Sequence, residues 1–259
     1  MITDWDANNY ERFATARQRP AWDLLQAIPE YPVQSITDLG CGSGLSTELL
    51  LRRWPNAQIL GVDQSPDMLR RARERLATTA FVEADIARYE PPQSQDLLFA
   101  NASLHWLSDQ RTLLATLLGQ LAPGGHLAVQ MPNNLDEPSH RLMRRIAARE
   151  PYAAYLKNAE GIRQTLLQAE EYYDCLTLNG ASVSLWETRY LHVLDDARSI
   201  RDWYSSTGLK PYLDALTETL RVSFLAEYDT ALGKAYPAQS DGKVLLAMPR
   251  LFILARREN

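Results

Sequence analysis

Between Ile36 and Met131 short apolar runs alternate with segments whose apolar positions recur every three or four residues, and the two periods mark strands and helices in turn. The apolar runs predict strands ending at Asp38 and at Asp63, then Ala80 to Asp85, Asp96 to Asn101 and His126 to Met131. Helices are expected over Thr47 to Trp54, from Pro66 with Met68, Leu69, Ala72 and Leu76 on one face, and from about Asp109 to Leu121. Ser65 caps the second of these, with Pro66 at its first position and Asp67 in its first turn. Pro123-Gly124-Gly125 reads as a turn that delivers the fifth strand. Strand and helix in regular alternation predict an α/β fold with a mostly parallel sheet covered on both faces.

After Pro132 the alternation stops. Residues 133 to about 180 are rich in tyrosine and arginine and read as helices, with Glu137 to Glu150 the clearest. A strand from Val183 to Val193, helices from about Ala197 to Ala235 and an apolar strand from Val244 to Ala255 complete the chain. Met248-Pro249-Arg250 interrupts that last strand, and proline predicts an edge, a bulge or a break there. The two late strands are expected to extend the sheet as an antiparallel pair. The reading is one domain over 1–259, with a core of about 30–132 plus strands about 183–193 and 244–255. A helical cap formed by about 133–180 and 197–235 would cover the carboxyl ends of the strands, where open α/β sheets bind ligands.

Composition narrows the partners. The formal net charge is −5, and the longest basic cluster, Arg70-Arg71-Ala72-Arg73, is a solvated helix face, so no nucleic acid is expected. Cys41 and Cys175 make neither a disulfide framework nor a zinc pattern, which suits a reducing cytoplasm, and no cluster suggests a metal. The start Met1-Ile2-Thr3-Asp4-Trp5-Asp6 lacks the pattern of a signal peptide, and no apolar segment has transmembrane length. The expectation is a cytoplasmic protein with no membrane contact; its oligomeric state is open.

The chemistry concentrates in Asp38-Leu39-Gly40-Cys41-Gly42-Ser43-Gly44 and in Asp63 at the end of the next strand. Glycines let the backbone turn sharply and approach a ligand, and the later acid can accept both hydroxyls of a ribose. A dinucleotide loop uses the same parts, but it needs a third glycine or alanine where this chain has Leu45 or Thr47. Asp38 would also repel a pyrophosphate, whereas it would attract the ammonium of a methionine moiety. The loop therefore reads as a site for S-adenosylmethionine.

With these elements the chain resembles the class I S-adenosylmethionine-dependent methyltransferases over nearly its whole length. The resemblance implies a Rossmann-like seven-stranded sheet, mostly parallel with a late antiparallel strand, plus a helical cap. It places Asp38, Gly40, Cys41, Gly42 and Gly44 at the methionine portion and Asp63 on the ribose. Gln64, Met68, Asp85 and Ile86 would line the adenine, and Asn101 and Ala102 would lie beside the methionine moiety. Four further stretches are Phe99-Ala100-Asn101-Ala102-Ser103-Leu104-His105-Trp106, Gln130-Met131-Pro132-Asn133, Thr207-Gly208-Leu209-Lys210-Pro211-Tyr212-Leu213 and Pro249-Arg250-Leu251-Phe252. With Tyr10, Arg17 and Arg19-Pro20 they are similar to the carboxyl O-methyltransferases of that class that esterify trans-aconitate.

That narrower resemblance implies a small tricarboxylate as acceptor and a monomethyl ester as product. A carboxylate is already ionised at neutral pH, so no general base and no catalytic side chain is required, and proximity carries the reaction. The unreacted carboxylates do require cations, and arginine suits them through its bidentate geometry. Arg17, Arg19, Arg144 and Arg250 are the candidates, each set against an ordinary surface arginine. Tyr10, His105, Trp106 and Tyr173 are candidates for the walls and hydroxyls of the acceptor site, each set against simple packing. Two alternatives stay open: another small or carrier-bound carboxylate as acceptor, and a non-catalytic S-adenosylmethionine-binding sensor.

Overall fold

The computed structural model describes residues 14–156, 165–205 and 207–258, with the backbone course alone for 14–17. Its sheet is built from β1 (Ser35–Leu39), β2 (Gln58–Asp63), β3 (Ala80–Glu83), β4 (Gln95–Asn101), β5 (Leu121–Pro132), β6 (Ala181–Leu194) and β7 (Val244–Arg257). The helices are α1 (Ala14–Ala27), α2 (Leu45–Arg53), α3 (Pro66–Arg75), α4 (Gln110–Gly119), α5 (Pro138–Ala147), α6 (Ala153–Leu156), α7 (Ala169–Leu178), α8 (Ala197–Ser205), α9 (Lys210–Ala215) and α10 (Glu218–Ala235). No helix among the described residues is long and apolar enough to cross a membrane.

The seven strands run in the order β3-β2-β1-β4-β5-β7-β6. β1 pairs in parallel with β2 and β4, β2 with β3 and β4 with β5, while β7 is antiparallel to β5. The expected Rossmann-like sheet with a late antiparallel strand is therefore present. β4 is buried on both faces through Leu97, Leu98, Phe99 and Ala100, the condition that lets a parallel strand be continuously apolar.

Register divides the sheet into two chemically different faces, because paired residues share a face and successive residues alternate. Leu39, Leu98, Ala100, Leu127, Val129, Met131, Leu251, Ile253 and Ala255 pack with Leu113, Leu114, Leu117 and Leu118 of α4 and with Tyr172, Cys175 and Leu176 of α7. The opposite face carries two successive files, Asp38↔Phe99↔Ala128↔Leu254 and Asn101↔Gln130↔Phe252, and then the pair Pro132↔Arg250. Polar side chains thus gather on that one face toward the carboxyl ends of β1, β4 and β5.

Three local expectations are corrected. Pro123-Gly124-Gly125 is not a free turn but part of β5, whose register slips between Gln95↔Leu121 and Leu97↔His126. The extra residues bulge out of the ladder, and the left-handed φ of +77° at Gly124 makes room for them. Pro249 neither breaks β7 nor marks an edge, since β7 lies between β5 and β6. The β5 pairing ends at Pro132↔Arg250, so the missing N–H of Pro249 falls one residue past that ladder. The Pro249 carbonyl still accepts the N–H of Asn133 at 2.9 Å. α2 also begins at Leu45 rather than Thr47, because Gly44 at a φ of 84° turns directly into it.

The chain forms two compact units. One comprises Arg17–Pro132, Leu166–Thr188 and the chain from Arg250; the other includes the described parts of Asn133–Thr165 and Arg189–Pro249. The second has its own core, with Met143 and Ile146 of α5, Trp203 and Tyr204 of α8, Tyr212 of α9, and Phe224, Tyr228 and Leu232 of α10. Three tyrosine hydroxyls converge there on Ser139 in the first turn of α5. Its N–H donates to Tyr236 Oη at 3.0 Å, its Oγ bonds Tyr204 Oη at 3.2 Å and its carbonyl accepts from Tyr228 Oη at 3.3 Å. A helix start buried in an apolar core needs such partners for its backbone donors.

In the sheet unit the entry to β1 is tied to β4 by Asp96. Its Oδ2 accepts from the N–H groups of Gln34 at 2.8 Å and Ser35 at 3.0 Å and from Ser35 Oγ at 3.1 Å. Charge-assisted bonds of this kind are worth about 2 kcal/mol once their loss strands a donor. Asp96→Ala is therefore expected to lower the unfolding free energy by about 2 kcal/mol, read as an earlier urea midpoint at unchanged slope, with cofactor affinity retained.

Candidate active site

The loop between β1 and α2 is held from below by backbone bonds. Gly40 and Cys41 N–H both donate to the Val62 carbonyl, at 2.8 and 3.0 Å, which fastens the loop to the end of β2. Gly40 has a φ of +76°, and a Cβ there would lie 2.3 Å from Ser103 Cβ, so any side chain would push the β4 segment away. Ser103 closes the same contact by donating from Oγ to the Leu39 carbonyl at 2.6 Å. Gly42 differs: a Cβ there would meet nothing within 4 Å. Open space above a loop fixed from below is what a cradled ligand requires.

Asp38, the penultimate residue of β1 and not its last as expected, lies beneath this loop with 0% exposure. Oδ2 accepts from Ser46 Oγ at 2.7 Å and Thr47 Oγ1 at 2.6 Å, both from the first turn of α2. Oδ1 is buried and has no hydrogen-bond partner among the described residues. Burial pushes the carboxyl up to about 6; the Thr47 and Ser46 hydroxyls oppose that rise, and the nearby Asp63 charge adds to it. A buried carboxylate with one satisfied and one vacant oxygen is costly until a cation arrives.

Asp63 ends β2. Its Oδ2 accepts the Gly42 N–H at 2.9 Å and its Oδ1 accepts the Ser65 N–H at 2.9 Å. Burial raises its pKa, and the N–H groups of Ser65, Gly42 and Gln64 pull it back. Each oxygen keeps a second lone pair for a ribose hydroxyl. Cys41 is buried, and its thiol is held protonated by desolvation and by the neighbouring Asp38 and Asp63 charges, so it acts as packing under the loop.

The other expected cofactor residues stand around these. Met68 is buried on α3, whose N-cap Ser65 accepts the Met68 N–H at 3.4 Å. Gln64 and Asp85 are exposed, and Asp85 Oδ1 accepts the Ala87 N–H at 3.0 Å. Ile86 reaches to within 3.3 Å of the Cβ position at Gly40. Gly44 is the left-handed N-cap of α2. Asn101 carries a buried Oδ1 with no partner among the described residues. Ala102 takes a φ of +54° and donates its N–H to the Gln130 carbonyl at 2.8 Å. Such strain in a non-glycine residue persists where the surrounding structure imposes it, as at ligand sites.

The expected acceptor residues divide. Arg250 is 6% exposed and shares the face of Asn101 and Gln130. His105 is buried and Trp106 half-buried in the 3₁₀ turn Leu104–Trp106 just past β4, their rings 4.7 Å apart. Arg19 is an exposed residue of α1 and bonds Asp23 at 2.8 Å. Arg144 belongs to the other unit, on α5, 4.0 Å from Asp136. Tyr173 is exposed on α7, which packs against the opposite sheet face. Tyr10 and the Arg17 side chain lie outside the described residues. Sequence reading did not single out Ser46, Thr47, Ser103 or Gln130 for a role. The hydroxyls on Ser46 and Thr47 had a signal, since a buried acid at Asp38 needs nearby donors.

Fold, loop and buried acid together define a Rossmann-like S-adenosylmethionine-dependent methyltransferase. A methyltransferase domain family matches residues 36–125. The fold is similar to a methyltransferase from Bacillus halodurans, with a TM-score of 0.62 at 13% identity over 92% of this chain and 99% of that one. It is also similar to an S-adenosylmethionine-dependent methyltransferase from Mesorhizobium loti, with a TM-score of 0.54 at 22% identity over 95% and 100%. In sequence the chain is 52% identical to a trans-aconitate 2-methyltransferase from Methylobacterium nodulans over 99% of both chains, and 50% identical to one from Yersinia pseudotuberculosis over 99% and 100%. The chain belongs to the trans-aconitate 2-methyltransferase family.

The Asp38 pKa gives a direct check. Protonation favours the folded ligand-free protein when the folded pKa exceeds the unfolded one, so this group's contribution to stability declines as pH rises from about 4 through 6. Binding of a cationic ammonium requires the ionised form and works in the opposite sense. Affinity for S-adenosylhomocysteine is expected to weaken as pH falls below about 6 and to level off above it. In Asp38→Asn the affinity should be at least about tenfold weaker at neutral pH and flat across that range, as followed by calorimetry.

Proposed function

We propose that this protein transfers a methyl group from S-adenosylmethionine to one carboxylate of trans-aconitate, yielding the monomethyl ester and S-adenosylhomocysteine. The observation that carries the reading is the charge order along one sheet face. The Asp38 carboxylate lies at β1 and the buried Arg250 guanidinium at β7, with the neutral amides Asn101 and Gln130 on the same face of β4 and β5 between those strands. A cationic cofactor belongs at the first end and a polyanionic acceptor at the other. Trans-aconitate is what the names of the full-length relatives supply.

When bound, the cofactor supplies a methyl group on a positively charged sulfur, electrophilic enough for direct displacement by an oxygen. The protein's part is positional. Asp38 Oδ1 takes the ammonium, Asp63 the ribose, and the loop at Gly42 leaves room for the methionine portion. Gln64, Met68, Asp85 and Ile86 border the adenine, and Asn101 and Ala102 the methionine moiety. Arg250 balances the acceptor charge, with Arg19 of the same unit as a further cation; His105 and Trp106 wall the reacting region. The acceptor carboxylate is ionised at neutral pH, so none of these side chains has to remove a proton. Holding the reactants in line and excluding water accounts for the rate. The domain reading that accompanies this is a single functional domain.

Incubation with methyl-labelled cofactor and a panel of small carboxylates is expected to give base-labile label with trans-aconitate. Labelling of another carboxylate alone would replace the acceptor, and cofactor binding with no transfer would favour a sensor. Arg250→Ala is expected to raise KM for trans-aconitate by about a hundredfold, in keeping with loss of a buried ionic contact, with little change in cofactor affinity.

A further inference from the structure

Gln130 is 0% exposed, and neither its Oε1 nor its Nε2 has a hydrogen-bond partner among the described residues. A buried carboxamide with no bond at either end costs a few kcal/mol, and an apolar residue of the same length would fill that volume without the penalty. Its place in the sheet suggests why an amide is there. It pairs with Asn101 of β4 and with Phe252 of β7, all on the face that carries Asp38. On β7 the next residue on that face is Arg250. Gln130 therefore stands one strand beyond Asn101, on the side away from the cofactor loop and toward the guanidinium.

We propose that Gln130 is a specificity-determining residue for the acceptor, its Nε2 donating a hydrogen bond to an acceptor carboxylate whose charge is also balanced by Arg250. The proposal rests on the carboxylate acceptor assigned above. An amide in this place has a specific advantage. It provides a donor for the anion without a second positive charge beside a sulfonium, and without the negative charge that would repel the acceptor. The adjacent Phe252, stacked on Trp186 at 4.9 Å between ring centres, is an apolar wall on the same face. A donor held against such a wall discriminates strongly against ligands that leave it unpaired.

The test compares wild type with Gln130→Leu and Gln130→Glu. Both variants are expected to raise KM for trans-aconitate by about tenfold or more, the glutamate more than the leucine, with the S-adenosylhomocysteine dissociation constant unchanged within about twofold. The melting temperature of Gln130→Leu without ligands should equal or exceed that of wild type, because an unpaired buried amide has been removed. Unchanged KM in both variants, or a loss of cofactor affinity parallel to the loss of activity, overturns the proposal. So does a lowered melting temperature for Gln130→Leu combined with unchanged KM, the result expected of a purely structural residue. Calorimetric titration of trans-aconitate into the enzyme–S-adenosylhomocysteine complex separates this from the functional reading. Binding that is lost in the variants supports Gln130 even if no ester forms; normal esterification in the variants leaves the function standing and removes Gln130; a wild type that neither binds nor methylates overturns both.

Discussion

The structure turns on one buried charge. Asp38 lies next to the end of β1 beneath the loop with no exposure to solvent, and a carboxylate in that position is costly unless its oxygens are bonded. Ser46 and Thr47 supply two hydroxyls to Oδ2, which fixes the first turn of α2 over the strand and thereby the curvature of Gly40 to Gly44. Oδ1 is left without a hydrogen-bond partner among the described residues. The same residue sets the start of a helix and the shape of the loop.

From that residue the chemistry can be followed across the sheet. Parallel strands stand about 5 Å apart, so Asp38, Asn101, Gln130 and Arg250 mark a path from a negative to a positive end on one face. The opposite face is occupied by aliphatic packing against α4 and α7. This division allows the sheet to be both a core and a floor for ligands. The unpaired oxygens and nitrogens on the first face are sites of stored cost, which bound ligands can relieve. The strain of Ala102 at the end of β4 belongs to the same description.

Much of this was legible along the chain because it depends on short-range rules. The turn at Gly40 to Gly44, the cap and proline at Ser65 and Pro66, and the acid at Asp63 are local signals, and each stands where its spacing put it. Pro123-Gly124-Gly125 carried the composition of a turn, yet pairing with β4 at Leu121 and again from His126 absorbed it as a bulge. Pro249 looked like an edge marker, yet the β5 ladder ends one residue before its missing donor would matter.

By itself the sequence determined the alternation of strands and helices from β1 to β5 and the glycine turn between β1 and α2, since each follows from residue type and spacing within a few tens of residues; the helix Ala14–Ala27 was not foreseen. Only the tertiary structure decided which side chains share a face. Gln130 and Arg250 are far apart along the chain and become neighbours in one surface only through the antiparallel register of β5 and β7. It also separated Tyr173 from that surface by packing α7 on the other side. Periodicity tells that a residue alternates in and out of a sheet; register with distant strands tells which side is in, and that is a property of the folded chain.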